Sequence, residues 1–141
     1  MLLDLAISTA MVVWTVVFHA LGLFALSRVL RIEVREERAE RIHPASPRAI
    51  AFTVALVLGL FVIHGVEIWS YALLYFSYGA VATLAEAVYF STITYATIGY
   101  DAELLSTDWR IVAAIEGVNG VILMGWSTAF FVTLVLRLGR R

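Results

Sequence analysis

Three apolar stretches, residues 2–27, 49–77 and 110–136, fix what this chain can become, because most of its charge lies between and beyond them. Each is long enough to cross a bilayer core, for which about 20 apolar residues suffice as a helix. The 141 residues are 62% hydrophobic with a mean hydropathy of +0.90, where soluble domains hold about 45–50% apolar residues. A water-soluble fold of this length could not cover so much apolar surface. The expected fold class is an all-α membrane protein with three transmembrane helices per chain.

Residues 1–27 supply the first of these, an N-terminal transmembrane helix interrupted by Asp4, Ser8, Thr9, Thr15 and His19. No basic residue precedes it, while Arg28 and Arg31 follow it. A cleaved signal peptide has the opposite polarity, so an uncleaved anchor with its N-terminus outside is expected. Residues 28–48 form a charged cytoplasmic loop in which six arginines stand beside four glutamates. Their alternation at helical spacing predicts a short helix laced with ion pairs, closed by Pro44 and Pro47. Arginines flanking two spans mark the inner face of a cell (plasma or inner) membrane. The near balance of charge argues against nucleic acid as a partner, since phosphate binding needs a cationic excess.

Other chemistries are excluded by what is missing. There is no cysteine, hence no disulfide, thiolate metal site or cysteine catalysis. No nucleophile stands with a base and an orienting group, and no phosphate loop occurs, so neither an enzyme nor a cofactor is expected. No span carries regularly spaced arginines, which excludes a voltage sensor of the usual type. No soluble domain follows the last span, so a cytoplasmic ligand gate in this chain is not expected.

The second span, residues 49–77, runs outward and ends in Trp69, Tyr71, Tyr75 and Tyr78, aromatic side chains suited to the interface. His64 and Glu67 lie three residues apart on one helical face. An ionisable pair inside a span is a functional candidate by default. It admits three readings: a buried hydrogen bond that fixes packing, a pH sensor, or a metal site, for which two ligands are too few.

Beyond this span, Thr83-Leu84-Ala85-Glu86 fits a capping box and predicts a helix over residues 84–96. At 1.5 Å per residue it is about 18 Å long, enough to reach the membrane middle but not to cross. Non-helical backbone at that depth survives only buried in protein or lining water. The next residues are Thr97-Ile98-Gly99-Tyr100-Asp101. A short extended segment of this kind can present rings of backbone carbonyls to a dehydrated cation. Thr97 adds a hydroxyl, and Gly99 permits a backbone conformation closed to most residues.

This stretch resembles the filter loop of the potassium-channel pore family, whose usual string is TVGYG with an acidic residue next. The resemblance covers residues 50–136 and implies a pore domain over 49–136. That domain would comprise an outer helix 49–77, a re-entrant pore helix 84–96, a filter 97–101 and an inner helix 110–136. It further implies a homotetramer in membrane lipid, with potassium ions bound at Thr97, Ile98, Gly99 and Tyr100. Tyr89, Phe90 and Tyr95 would pack as a cuff around the filter, and the first span would pack peripherally. The chain departs from the family at Asp101, which stands where the second filter glycine is usual.

Arg110 opens the third span, and residues 137–141 form a basic cytoplasmic tail. Alignment with the family's inner helix places Gly120 at the usual hinge position and Gly125 at a second small position below it. Glycine in a membrane helix serves close packing or bending. Glu116 and Asn119 share a face where the pore helix would lie. Glu116 either braces the filter from behind or lines the ion path, and the brace is the expectation, since a ring of glutamates would crowd the pore helix. Ser127 and Thr128 face either a water-filled cavity or a neighbouring helix.

The expected function is passive cation conduction, selective for potassium. Asp101 supports a different expectation, a weakly selective or divalent-admitting channel, because four carboxylates at the mouth attract calcium or magnesium. A third is a non-conducting membrane subunit that keeps the fold for assembly.

Overall fold

The computed structural model describes residues 1–40, 47–99 and 103–139, with side chains placed over 1–29, 47–99 and 103–136. The described residues form four α-helices and no strand: α1 (Leu2–Glu40), α2 (Pro47–Ser77), α3 (Leu84–Tyr95) and α4 (Arg110–Gly139). A 3-10 turn, Thr107–Trp109, leads into α4. Three stretches are long and apolar enough to cross a membrane: Leu2–Val29, Pro47–Ser77 and Thr107–Leu136.

The first helix corrects one expectation. It does not stop at residue 27 but continues unbroken to Glu40, absorbing most of the expected charged loop. Arginine and glutamate are good helix formers, and opposite charges three and four residues apart support a helix once apolar packing has nucleated it. Residues 41–46, including Pro44, lie outside the described residues. Pro47 opens α2, at the helical position where its missing N–H costs nothing.

Helix direction follows from the buried contacts. Trp14 meets Ser70, His19 meets Glu67, and Gly22 abuts Ile63, so α1 runs antiparallel to α2. Asn119 bonds Thr15 and Ser127 meets His19, so α1 runs parallel to α4. The first helix packs along both of the others, while α2 and α4 touch directly over a shorter stretch. Within one chain it is part of the same bundle as α2 and α4. Ser8, Thr15 and His19 are all buried, and a buried polar stripe must face protein rather than lipid.

The short α3 descends antiparallel to α2 and alongside α4, with Ser91 bonding the Ile68 carbonyl and Tyr95 reaching Glu67. Its start is fixed locally. The Thr83 hydroxyl accepts from the Glu86 N–H at 3.2 Å, and the Glu86 carboxylate accepts from the Thr83 N–H at 3.1 Å. That reciprocal pair satisfies two of the free N–H groups at a helix start. The chain then returns, and the Ser106 N–H donates to the Ala80 carbonyl at 3.1 Å. The excursion from Ala80 to Ser106 thus leaves and rejoins the bundle at one level.

Two apolar clusters hold the bundle at opposite ends. Around the base of the excursion, Tyr71, Ala72, Tyr75, Ala87, Phe90, Val112 and Ala113 are buried together. At the other end Phe52 and Leu56 pack against Leu26, Phe130, Phe131, Leu134 and Val135. Thr83→Ala is expected to lower stability by about 1 kcal/mol, the usual worth of an N-cap, with unfolding starting at α3. Denaturant titration in detergent, read against wild type, checks it.

Candidate functional site

The tip of the excursion is Thr97-Ile98-Gly99, carried on the C-terminal end of α3. The backbone does not run straight into an extended segment there. The Ile98 N–H donates to the Ile93 carbonyl at 2.9 Å and the Thr97 N–H to the Thr94 carbonyl at 3.1 Å. These two bonds are the Schellman pattern that ends many helices, normally with glycine at the left-handed position. Here that position is Thr97, with φ of 55°, a conformation a β-branched residue rarely adopts. Gly99, for which the special backbone was expected, has no positive φ. The strain sits two residues earlier because the helix must be capped before the chain turns. Thr97, Ile98 and Gly99 are all exposed on the single chain, Ile98 at 76%. Tyr100 and Asp101 lie outside the described residues.

Two buried carboxylates stand behind this tip. Glu116 on α4 accepts from the Tyr75 hydroxyl of α2 at 2.7 Å and from the Ser91 hydroxyl of α3, tying three helices through one side chain. Beside it, the Asn119 amide donates to the Thr15 hydroxyl at 2.8 Å. Glu67 on α2 is also fully buried. It accepts from the Tyr95 hydroxyl at the end of α3, and its other oxygen lies 2.9 Å from Nδ1 of His19. His64 lies with Nδ1 2.9 Å from the Tyr95 hydroxyl and 3.2 Å from Glu67. The imidazoles meet again on their far sides at the Ser127 hydroxyl, 2.9 Å from His64 Nε2 and 3.3 Å from His19 Nε2.

A family model described as ion channel matches residues 49–137. The chain belongs to the ion channel family. With its three apolar helices, this ion channel is a multi-pass membrane protein. No curated protein and no solved structure gives a significant match to it.

In this ion channel the expected site residues sort into two groups. His64 and Glu67 are in contact, Glu116 sits behind α3, and Phe90 and Tyr95 are buried. Tyr89, by contrast, is 56% exposed on the single chain. Ser127 faces the two histidines, whereas Thr128 is exposed and bonds its own helix at Met124.

Gly120 is a site of close approach. A Cβ there would lie 2.2 Å from the Tyr95 carbonyl oxygen, whereas a Cβ at Gly125 would meet nothing within 4 Å. The helix runs unbroken through both.

His19 was not singled out by the sequence as a site residue. A signal was present: Asp4, Ser8, Met11, Thr15, His19, Gly22 and Leu26 follow one another at three- and four-residue steps, which puts them on one helical face. His19, His64 and Glu67 each bring a donor atom within 4.8 Å of the others. Yet both nitrogens of each imidazole and both carboxylate oxygens already face a hydrogen-bond partner. Together with Tyr95 and Ser127, these three residues close a hydrogen-bond ring.

Gly120→Ala is expected to push the end of α3 off α4 and lower stability by about 1–3 kcal/mol, as overpacking does. Gly125→Ala should be close to neutral. Thermal unfolding of the two variants side by side in detergent distinguishes them.

Proposed function

We propose that this ion channel is a passive, potassium-selective pore made of four copies of the chain, with Thr97, Ile98, Gly99, Tyr100 and Asp101 as the filter. The observation that carries the reading is the placement of Thr97-Ile98-Gly99. They sit exposed at the tip of an excursion whose two ends are bonded together, braced from behind by buried carboxylates. Exposed residues at the end of a short helix beside spanning helices need cover from further chains, because unsatisfied backbone is not tolerated in lipid. One tip cannot surround an ion, and four related by a fourfold axis can. On this reading α3 is the re-entrant pore helix, and α2 and α4 are the outer and inner helices.

The mechanism follows from carbonyl geometry. The carbonyl oxygens of Thr97, Ile98, Gly99 and Tyr100 replace the hydration shell of potassium, and the Thr97 hydroxyl adds an inner ring. The C-terminal end of α3 directs its partial negative charge toward the ion path. Movement is down the electrochemical gradient and needs no cofactor. The arginines of residues 28–48 place that segment on the cytoplasmic side of a cell membrane, leaving the N-terminus outside. Gly125, with open space around it, is the better hinge candidate of the two glycines.

Asp101 favours a second reading, a weakly selective channel that admits divalent cations, since four carboxylates at the mouth concentrate them. Flux from liposomes under opposed potassium and sodium gradients, with and without calcium, separates the two. Potassium preference with barium block supports the first; comparable sodium or calcium flux supports the second, with Asp101→Gly restoring potassium preference. No flux together with indifference to substitution of Gly99 fits an assembly-only subunit and overturns both.

Thr97→Gly offers an independent check. Relief of the left-handed threonine is expected to raise stability by about 1 kcal/mol, while loss of the hydroxyl ring lowers potassium flux. A stabilised variant with undiminished flux would remove Thr97 from the ion path.

A further inference from the structure

We propose that His19, His64, Glu67, Tyr95 and Ser127 form a buried proton-binding site, which holds one proton beyond those of two neutral imidazoles, two hydroxyls and a carboxylate, and which thereby ties the end of α3 to the other three helices.

The argument is a count. The five side chains close a ring of five contacts: Glu67 with His19, His19 with Ser127, Ser127 with His64, His64 with Tyr95, and Tyr95 with Glu67. Every contact needs one proton between its two atoms. A neutral imidazole brings one, each hydroxyl brings one and a carboxylate brings none. The sum is four protons for five contacts, so the ring as ordinarily ionised is one short.

One added proton completes it in a single consistent direction. With His64 charged, Nδ1–H donates to the Tyr95 oxygen and Tyr95 donates to Glu67. Nε2–H donates to Ser127, Ser127 donates to His19 Nε2, and His19 Nδ1–H donates to Glu67. Placing the proton on His19 or on Glu67 closes the ring equally well. The complete ring is neutral overall, whereas the four-proton ring leaves a net negative charge in the bilayer interior, where charge is costly.

Loss of the proton empties one of the five contacts, and two of the five are made by Tyr95 at the α3 end. His64 Nδ1 faces both Glu67, at 3.2 Å, and Tyr95, at 2.9 Å. That triangle needs two protons. When neutral His64 keeps its proton on Nε2, toward Ser127, only the Tyr95 hydroxyl proton is left there and lone pairs face one another across one of its sides. Tyr95 is the last residue of α3, two before the strained Thr97. The other titratable groups close to Tyr95 are Tyr71 of α2 and Glu116 of α4; Glu116 is held by Tyr75 and Ser91, and Tyr71 accepts from Asn119. On the function proposed above, the proton therefore sets how firmly the filter is held.

The decisive experiment uses the full chain in bicelles with 15N-histidine and 13C-glutamate labels, in a His43→Gln background, from about pH 5 to pH 9, the range in which imidazole charge ordinarily changes. The expected result is one proton shared by His19, His64 and Glu67 at the acid end, leaving in a single step. Two neutral imidazoles beside an ionised Glu67 throughout would overturn the site, as would a stoichiometric divalent metal in the purified protein. Glu67→Gln adds a second arm. Its amide supplies an acceptor to His19 and a donor to Tyr95, which completes five contacts with neutral groups, so the step should vanish while the fold persists. If that variant does not fold, the wild-type titration decides alone.

Potassium flux from liposomes tests the coupling. It should fall about fivefold as the proton leaves, the factor matching one hydrogen bond, and should lose this dependence in Glu67→Gln. Flux that ignores pH while the labels titrate would overturn the coupling. Absence of flux at every pH counts against the pore reading and not against the ring, which the labels test independently of flux.

Discussion

A carboxylate cannot be left unpartnered inside a bilayer, and among the described residues two are buried, Glu67 and Glu116. Apolar side chains do not choose among packings in lipid, since the hydrocarbon around them is equally apolar. Polar groups do choose. Glu116 sets α3 against α2 and α4 through Ser91 and Tyr75, and Glu67 sets α1 and α3 against α2 through His19 and Tyr95. Removing one partner of a buried charge typically costs about 3–5 kcal/mol. The register of four helices follows from two acids.

Glycine makes that register reachable. Gly22 lies under Ile63 and Gly59 under Leu26 at the crossing of α1 and α2, and Gly120 lies under the Tyr95 backbone at the crossing of α3 and α4. A side chain at Gly120 would meet backbone and hold α3 and α4 apart by more than the slack in a hydrogen bond near 3 Å, whereas at Gly22 and Gly59 it would meet the side chains of Ile63 and Leu26. Close packing and polar contact are thus one arrangement seen at two scales.

The spans were legible because hydropathy acts over long windows and needs no knowledge of neighbours. The start of α3 was legible because Thr83 and Glu86 cap it through local chemistry. His64 and Glu67 could be placed on one face by helical spacing alone. Their partners could not, because His19, 48 residues before Glu67, and Ser127, 63 residues after His64, are joined to them only by the packing of helices. The end of α1 was misjudged for a related reason: charge reads as a break in apolarity, yet Arg and Glu sustain a helix that has already formed. Thr97 misled in the opposite sense, since glycine is the usual occupant of the conformation it holds.

The position of α1 has a mechanical consequence. It lies parallel to α4 and is stitched to it at Thr15–Asn119 and His19–Ser127, one contact above Gly120 and Gly125 and the other below them. A beam glued to a splint at two points cannot flex between them unless the splint flexes or the glue shears. Any bend of α4 at either glycine must therefore carry a continuous 39-residue helix with it.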